Sequence, residues 1–315
     1  MKLNQLIAQY VVFRKSLGAK FEGNETVLHT FCRVVGEGRH VGKVRPHEVA
    51  SFLDGCGPVT RHWHRKYIVL RGFFRYALSR GYLSASPLPT TVPKLPERFK
   101  PYIYSREELR RLLDSTAFTQ TPRFQMEAQT FRTLLLLLYG AGLRDGEALS
   151  LNLKDVDLQE AILTIGNTKF YKTRLVPLGR ELNDAMTEYA KQRKKAGHSQ
   201  SGDAPFFVTR LGARIPLYLV QRGFRRLRTR AGVRREDGAR YQPRLHDLRH
   251  AAAVHRLTAS YREGKDVQRL LPLLSTYLGH VDIASTQLYL TMTPELLHEA
   301  SKRFAKYVFG EGGHD

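Results

Sequence analysis

The sequence predicts a mainly α-helical protein of two domains, with one small β-hairpin in the second. Three observations predict this: apolar residues recur at helical spacing through the first third, five of the 14 prolines fall within residues 87–101, and two short β-type runs flank a polar turn near residue 170. Because proline removes backbone donors and favours extended chain, we expect a linker over residues 87–104. A helical N-terminal domain over residues 1–86 and a larger domain over residues 105–315 follow.

The predicted N-terminal domain consists of four helices. Apolar residues spaced three and four apart predict a first helix over residues 3–17, and the same pattern predicts a second over residues 25–35. Pro46 opens a short third helix. Thr60 is a favourable N-cap for a long fourth helix that reaches about residue 80.

The long fourth helix carries a basic face backed by aromatic residues. Its predicted DNA-binding side chains are Arg61, Arg65, Lys66, Arg71 and Arg75. Such a face suits contacts with phosphates, and a merely solvated helix face is the alternative.

The second domain begins at a capping box, Ser105 to Glu108. An apolar helix is expected over residues 131–139. Residues 161–165 and 174–178 are rich in β-branched and apolar side chains and predict the hairpin. Further helices are expected over residues 181–195, 217–230, 246–258, 267–277, 283–290 and 294–308.

The net charge points to a polyanionic partner. The chain holds 51 Lys and Arg against 29 Asp and Glu, a formal charge of +22, and half of this excess lies in the first 100 residues. A second concentration lies between Arg222 and Arg249, where Arg222, Arg225 and Arg226 are the predicted DNA contacts. Two separate basic regions suit a ligand held from two sides, so double-stranded DNA is the predicted partner.

Composition also argues against several classes of protein. No apolar run approaches the roughly 18 residues of a membrane span, and the N-terminus opens no continuous apolar segment typical of a secretion signal. The two cysteines, Cys32 and Cys56, are too few for a disulfide framework or a Cys-rich zinc site. We expect a cytoplasmic, nucleoid-associated protein with no membrane partner, no metal and no cofactor.

Four short segments of the second domain carry chemically suggestive residues. They are Gly142-Leu143-Arg144-Asp145-Gly146-Glu147, Thr168-Lys169-Phe170-Tyr171-Lys172, His246-Asp247-Leu248-Arg249-His250, and Leu278-Gly279-His280 with Tyr289 nine residues later. Each has an ordinary explanation when taken alone, such as a surface arginine or a local polar pair. The order and spacing of all four together indicate a function.

The combined pattern resembles the catalytic domain of the tyrosine recombinase (phage integrase) family, over about residues 105–305. The resemblance implies a two-domain, C-shaped DNA clamp with a helical core-binding domain and a mixed α/β catalytic domain. It implies site-specific cutting and rejoining of DNA through a 3′-phosphotyrosyl intermediate, without metal or ATP. It also implies a homo-tetramer on paired recombination sites, with other recombinase subunits as further partners.

The resemblance assigns a role to each motif residue. Tyr289 is the expected nucleophile, and Arg144, Arg249 and His280 are expected to bind the scissile phosphate. Lys169 is expected to protonate the leaving 5′-oxygen, and Lys172 in the same turn is the alternative candidate for this role. His246 would assist proton transfer, and Glu147 would orient its neighbours. Asp145 and His250 are expected to be structural.

The spacing between Arg249 and His280 departs from that of compact family members and indicates a particular subgroup. Thirty residues separate Arg249 from His280, more than in compact family members, and the local sequence is similar to integrase-like transposases of mobile elements. Integration or transposition is therefore expected.

The alternatives are an accessory DNA-binding subunit without independent activity, a Xer-like dimer resolvase, and a type IB topoisomerase. The last helix is expected to pack either on a neighbouring protomer or on its own domain.

Overall fold

The chain divides into two compact units, Met1–Phe99 and Lys100–Asp315. The computed structural model describes residues 1–56, 59–96, 100–120, 124–166, 173–239, 241–279, 283–287, 289 and 294–309. Both units are built mostly from α-helices, and the second also holds a three-stranded sheet. The predicted fold class, mainly helical with a small β-hairpin, is therefore confirmed.

The first unit contains the helices α1 (Leu3–Ser16), α2 (Glu22–Val35), α3 (Pro46–Asp54) and α4 (Arg61–Ser79). Helix α2 begins three residues earlier than the sequence predicts. Phe21 precedes it in a left-handed conformation, φ 51°, and its ring packs edge-on against Tyr10 of α1 at 5.7 Å. This contact joins two helices and leaves no mark in the local pattern of α2.

Helix α4 forms one side of the first core. The Thr60 hydroxyl accepts a hydrogen bond from the His62 amide at 3.2 Å and caps the helix as predicted. Phe73 and Phe74 are fully buried, and burial of each large apolar side chain contributes about 1.5–3 kcal/mol. Trp63 is also buried, and its indole Nε1 donates to Asp54 Oδ1 at 2.8 Å. The arginines of the basic face of α4 are consequently turned outward.

The second unit follows the predicted order of elements, with two additions, α7 and β1. Its elements are α5 (Arg106–Asp114), α6 (Ala128–Gly140), α7 (Asp145–Ser150), β1 (Val156–Asp157), β2 (Ile162–Ile165), β3 (Arg174–Pro177), α8 (Arg180–Lys195), α9 (Leu217–Arg230), α10 (Asp247–Arg262), α11 (Val267–Leu278), α12 (Ala284–Gln287) and α13 (Pro294–Phe309). The capping box of α5 is present, because Ser105 Oγ accepts from the Glu108 amide and Glu108 Oε2 accepts from the Ser105 amide.

The sheet has the order β1-β2-β3 and is antiparallel throughout. In the β2–β3 hairpin Ile165 lies opposite Arg174, so the turn begins beyond this pair. Leu163, Ile165 and Val176 are buried and attach the hairpin to the core of the unit. This register places Arg174 at the turn end of β3.

Helix α10 lies at the centre of the second unit and packs against α6, α11 and α13. The last helix, α13, thus rests on its own domain, the second of the two placements that the sequence left open. Leu296 is fully buried there, and Arg262 Nε lies 3.5 Å from Glu299 Oε1. Within the described ranges, no helix is both long and apolar enough to cross a membrane.

Candidate active site

Arg144 lies at the turn between α6 and α7. Gly142 makes this turn possible: its φ is +60°, and a Cβ at this position would approach Leu278 Cδ2 to 2.9 Å. The Arg144 guanidinium donates to Glu147 Oε1 and to the carbonyl of Gly279, both at 2.7 Å. About 40% of the side chain remains exposed. Arg144 is therefore fixed in direction and still open to an incoming anion.

Glu147 and Arg174 form a nearly buried bidentate ion pair. Arg174 Nη1 and Nη2 donate to the two oxygens of Glu147 at 3.0 and 2.7 Å, and Arg174 Nε donates to the Tyr277 carbonyl at 3.1 Å. Burial would raise the pKa of Glu147, but hydrogen bonds from Arg174 and Arg144 and the charge of Arg174 lower it to about 2. The pair joins β3 to α7 and to the end of α11.

The end of α11 depends on a glycine for the same contacts. Gly279 adopts φ +69°, and a Cβ there would lie 2.7 Å from Arg174 Nη1. The Gly279 carbonyl also accepts the hydrogen bond from the Arg144 guanidinium. The left-handed turn at Gly279 therefore brings the Gly279 backbone against both arginines.

Arg249 is almost completely buried, with 2% of its surface exposed. Nη1 donates to the Gly142 carbonyl at 2.6 Å and Nη2 to the Leu278 carbonyl at 2.7 Å. Burial, together with the like charge of Arg144, lowers the pKa of the Arg249 guanidinium to about 10, so it stays charged at neutral pH. Two positive charges are thus held by backbone carbonyls of the same two turns.

Tyr289 is 2% exposed, and its hydroxyl meets Arg249 and His250. The hydroxyl receives a hydrogen bond from Arg249 and lies 3.1 Å from His250 Nδ1. Burial raises the pKa of this phenol, and the charges of Arg249 and Arg144 partly offset the rise. The structure therefore brings the predicted nucleophile to the predicted phosphate-binding arginine.

Two imidazoles follow one another at the start of α10. His246 Nδ1 lies 3.3 Å from Asp145 Oδ1, and its ring meets that of His250 edge-on at 5.1 Å between centroids. Asp247 is fully buried and pairs with Arg244 instead. Of the residues near the site, His250, Asp145 and Arg174 were given no catalytic role by the sequence. For His250, the four-residue spacing from His246 was a signal in the sequence that both side chains lie on one helix face.

Three predicted catalytic or supporting residues, Lys169, Lys172 and His280, lie outside the described residues. The described chain resumes at residue 173, one residue before the Arg174 that contacts Glu147. Arg144, Glu147, His246, Arg249 and Tyr289, by contrast, are all brought together around the turns at Gly142 and Gly279.

The predicted DNA-binding side chains of α4 separate into two groups. Arg61, Arg65, Arg71 and Arg75 are exposed. Lys66 is turned inward: its ammonium donates to the Phe52 carbonyl at 2.7 Å and lies 4.6 Å from the Phe52 ring centroid. Lys66 therefore satisfies the end of α3, which a helical pattern alone does not reveal.

The basic side chains of α9 are also exposed and reach the site. Arg222, Arg225 and Arg226 line an open depression of about 830 Å³ together with Phe118 and Phe124. Arg225 also lines a neighbouring depression of about 550 Å³ that contains Asp145 and His246. Basic side chains thus extend from α9 to Asp145 and His246. Among the residues that the structure describes, no group of three or more His, Cys, Asp or Glu could hold a metal ion.

Comparisons with known proteins agree with this arrangement. Residues 105–295 match the model of the phage integrase family. The chain is 35% identical over 307 residues to the predicted integrase/recombinase y4rB of Sinorhizobium fredii, covering 96% of both chains. It is 31% identical over 271 residues to the tyrosine recombinase XerC of Chlorobaculum tepidum, covering 80% of this chain and 75% of the relative.

A solved structure gives the same fold. The Tn1549 transposon integrase, determined in complex with transposon right-end DNA, superposes with a TM-score of 0.70 at 16% identity, covering 98% of this chain and all of the other. At this identity the likeness concerns the fold alone. The family match and the relatives together lead to one conclusion: the chain belongs to the phage integrase family of tyrosine recombinases, whose members cleave and rejoin DNA through a tyrosine intermediate in site-specific recombination.

Proposed function

We propose that this chain binds double-stranded DNA at a specific site and that Tyr289 is the residue that cuts it. The observation that carries the proposal is the contact between the Tyr289 hydroxyl and Arg249, beside Arg144. A nucleophile that stays attached to the DNA conserves the energy of the broken bond, so rejoining requires no ATP. Attack by Tyr289 on the phosphorus would give a 3′-phosphotyrosyl linkage and a free 5′-hydroxyl.

Arg144 and Arg249 are proposed to bind the scissile phosphate. The pentavalent transition state carries additional charge on its non-bridging oxygens, and a rigid guanidinium stabilises such oxygens best when it is held in place beforehand. Both guanidiniums are anchored on backbone carbonyls at 2.6–2.7 Å. Because these anchors leave the guanidiniums little freedom, each is proposed to meet the phosphate in a fixed orientation.

The remaining roles follow from the family motifs. His280 would add a hydrogen bond to the same phosphate, and Lys169, or alternatively Lys172, would protonate the leaving 5′-oxygen. Glu147 holds Arg144 from one side and Arg174 from the other, so its proposed role is to orient these side chains. His246, fixed by Asp145, is proposed to assist at the phosphate.

The exposed basic surfaces are proposed to hold the DNA backbone. In the N-terminal unit, proposed as a domain over residues 1–86, the exposed arginines from Arg61 to Arg75 extend over about 21 Å along α4. In the catalytic domain, proposed as residues 105–315, the arginines of α9 are the second contact. Phosphate contacts of this kind supply affinity without sequence information.

The proposed assembly is a homo-tetramer on two paired sites, with integration or transposition of a mobile element as the biological role. Similar structures include a lambda integrase tetramer bound to a Holliday junction and the Tn1549 transposon integrase bound to DNA. The similarity to XerC favours one alternative, the resolution of dimeric replicons. An accessory role alongside another recombinase is the other alternative.

A nicked-duplex library tests the proposal on many candidate sites at once. Duplexes with a random centre and a nick beside it lose a short strand after cleavage, so each attack leaves a covalent complex. We expect the purified wild-type chain to capture a defined sequence, and peptide mapping to place the DNA on Tyr289. Tyr289→Phe should bind the selected duplex and capture none. Absence of capture by folded wild-type protein, or attachment to another residue, would contradict the proposal.

The nicked-duplex library also distinguishes the proposed function from the accessory role and from dimer resolution. Capture by the chain alone contradicts the accessory role. A selected sequence that matches the ends of the encoding element supports transposition, whereas a single chromosomal or plasmid site supports dimer resolution.

A further inference from the structure

The chemistry proposed for Tyr289 requires an acceptor for its proton, and the structure offers one that the family motifs do not name. This inference rests on the proposed function of Tyr289. A phenol that attacks phosphorus must give up its proton as the new bond forms. Tyr289 is 2% exposed, and its burial raises the pKa of the hydroxyl, so spontaneous ionisation into water is disfavoured.

The hydrogen bonds at the Tyr289 hydroxyl indicate where the proton points. A phenol has one hydrogen to donate and lone pairs to accept, whereas a guanidinium only donates. Arg249 therefore donates to the Tyr289 oxygen and cannot receive its proton. His250 Nδ1 lies at hydrogen-bond distance from the same oxygen, 3.1 Å, and can accept. The neutral imidazole with its hydrogen on Nε2 presents a lone pair at this nitrogen.

The residue that the motifs suggest for proton transfer, His246, has a different contact. Its Nδ1 faces Asp145 Oδ1 at 3.3 Å, at the start of α7. His250 lies one turn further along α10, and its ring lies 5.6 Å from that of Tyr289. The two imidazoles are therefore directed to two different groups, one to a carboxylate and one to the nucleophile.

We propose that His250 is a catalytic residue that accepts the Tyr289 proton during cleavage and returns it during rejoining. In cleavage the bond from Tyr289 oxygen to phosphorus forms and the bond from phosphorus to the 5′-oxygen breaks. The phenol proton moves to His250 Nδ1, and the leaving oxygen takes a proton from the lysine proposed above. In rejoining each transfer reverses, so the charge of the DNA backbone and the number of protons are conserved.

The test measures the single-turnover rate of covalent capture on the duplex selected from the nicked library, at saturating protein. His250→Ala should bind this duplex as wild type does and capture it 10²- to 10⁴-fold more slowly. Added imidazole should restore much of the lost rate, because a free base can enter the space of the missing ring. His250→Gln keeps an acceptor for the hydrogen bond but takes up no proton, so it should remain as slow as His250→Ala.

The same helix provides a matched control. His255 also contacts a tyrosine, with Nδ1 2.8 Å from the Tyr139 hydroxyl, and it lies five residues beyond His250 on α10. His255→Gln should therefore capture DNA at the wild-type rate.

The outcomes distinguish a failure of the proposed role of Tyr289 from a failure of the proposed role of His250. Capture by Tyr289→Phe would overturn the proposed function itself. Loss of capture in Tyr289→Phe, with a His250→Ala rate within threefold of wild type, would overturn the role of His250 alone. A wild-type rate in His250→Gln, or imidazole rescue of His246→Ala but not of His250→Ala, would overturn it as well.

Discussion

The arginines of α4 and those around Tyr289 carry the same charge in opposite surroundings. Arg61, Arg65, Arg71 and Arg75 are exposed along one helix face. Arg249, by contrast, is buried and Arg174 is nearly so, and both are held by carbonyls, Arg174 also by a carboxylate, at 2.6–3.1 Å. An exposed side chain can follow a flexible polyanion, whereas a buried and fixed one can stabilise a single geometry. The net charge of +22 is thus proposed to have two uses: exposed arginines hold the DNA backbone, and fixed arginines stabilise the reacting phosphate.

The largest effect is expected from Arg249. Arg249→Lys retains a charge but loses the planar fork that reaches the Gly142 and Leu278 carbonyls together. We expect covalent capture to fall by about 10³-fold while affinity for the selected duplex changes little. Capture rates and binding isotherms check this, with thermal melting as the control for folding. Equal losses of affinity and rate would break the distinction between the two groups of arginines.

Arg174 should dominate the stability of the site. Arg174→Met removes the bidentate partner of Glu147 and leaves Arg144 as the remaining one, which costs about 1.5–3 kcal/mol of unfolding free energy. Arg174→Met/Glu147→Gln should be less unstable than the sum of the single variants, because no charge is then stranded. Denaturant unfolding of the four proteins measures this. Additive losses would show that the pair is not coupled.

Glu147 should make the protein sensitive to acid. Its pKa of about 2 in the folded state lies below its ordinary value of 4.5, so the ionised carboxylate is favoured by folding. This contribution, about 3 kcal/mol, is complete above pH 4.5 and is lost as the pH falls towards 2. The unfolding free energy of Glu147→Gln should therefore decline less over this range than that of wild type. Parallel pH profiles for the two proteins would contradict the prediction.

The exposed arginines should affect binding alone. Arg71→Gln/Arg75→Gln should weaken binding and lower the slope of log affinity against log salt by about two, with capture at saturation unchanged. Lys191→Gln/Lys194→Gln removes the same charge from the exposed face of α8 and is the matched control. A slope that falls equally in both variants would mean that net charge, rather than the α4 face, holds DNA.

The smallest effect is expected from Lys66. Lys66→Met removes a hydrogen bond to the Phe52 carbonyl and a contact with the Phe52 ring, together about 1–2 kcal/mol of stability. The salt slope should stay unchanged, because the ammonium is turned towards α3. A lower slope of log affinity against log salt would indicate that Lys66 contacts DNA.

Local sequence patterns predicted most of the helices, the capping box at Ser105 and the hairpin, because these depend on neighbours along the chain. The spacing of the motifs predicted that Arg144, Arg249 and Tyr289 act together. Arg174 was missed because its partner, Glu147, lies 27 residues away on another element. The inward turn of Lys66 and the early start of α2 were missed for the same reason. His250 was expected to be structural, although its four-residue spacing from His246 was visible in the sequence, and its catalytic role is a proposal.

The most direct test of the central claim measures DNA affinity and saturating capture rate together for Arg249→Lys and Arg71→Gln/Arg75→Gln. We expect the two variants to fail in opposite measurements: Arg249→Lys binds the selected duplex nearly as wild type does and captures about 10³-fold more slowly. The α4 variant binds more weakly and, once saturated, captures at the wild-type rate. If both variants lose affinity and rate in the same proportion, the division between binding and reacting arginines is contradicted.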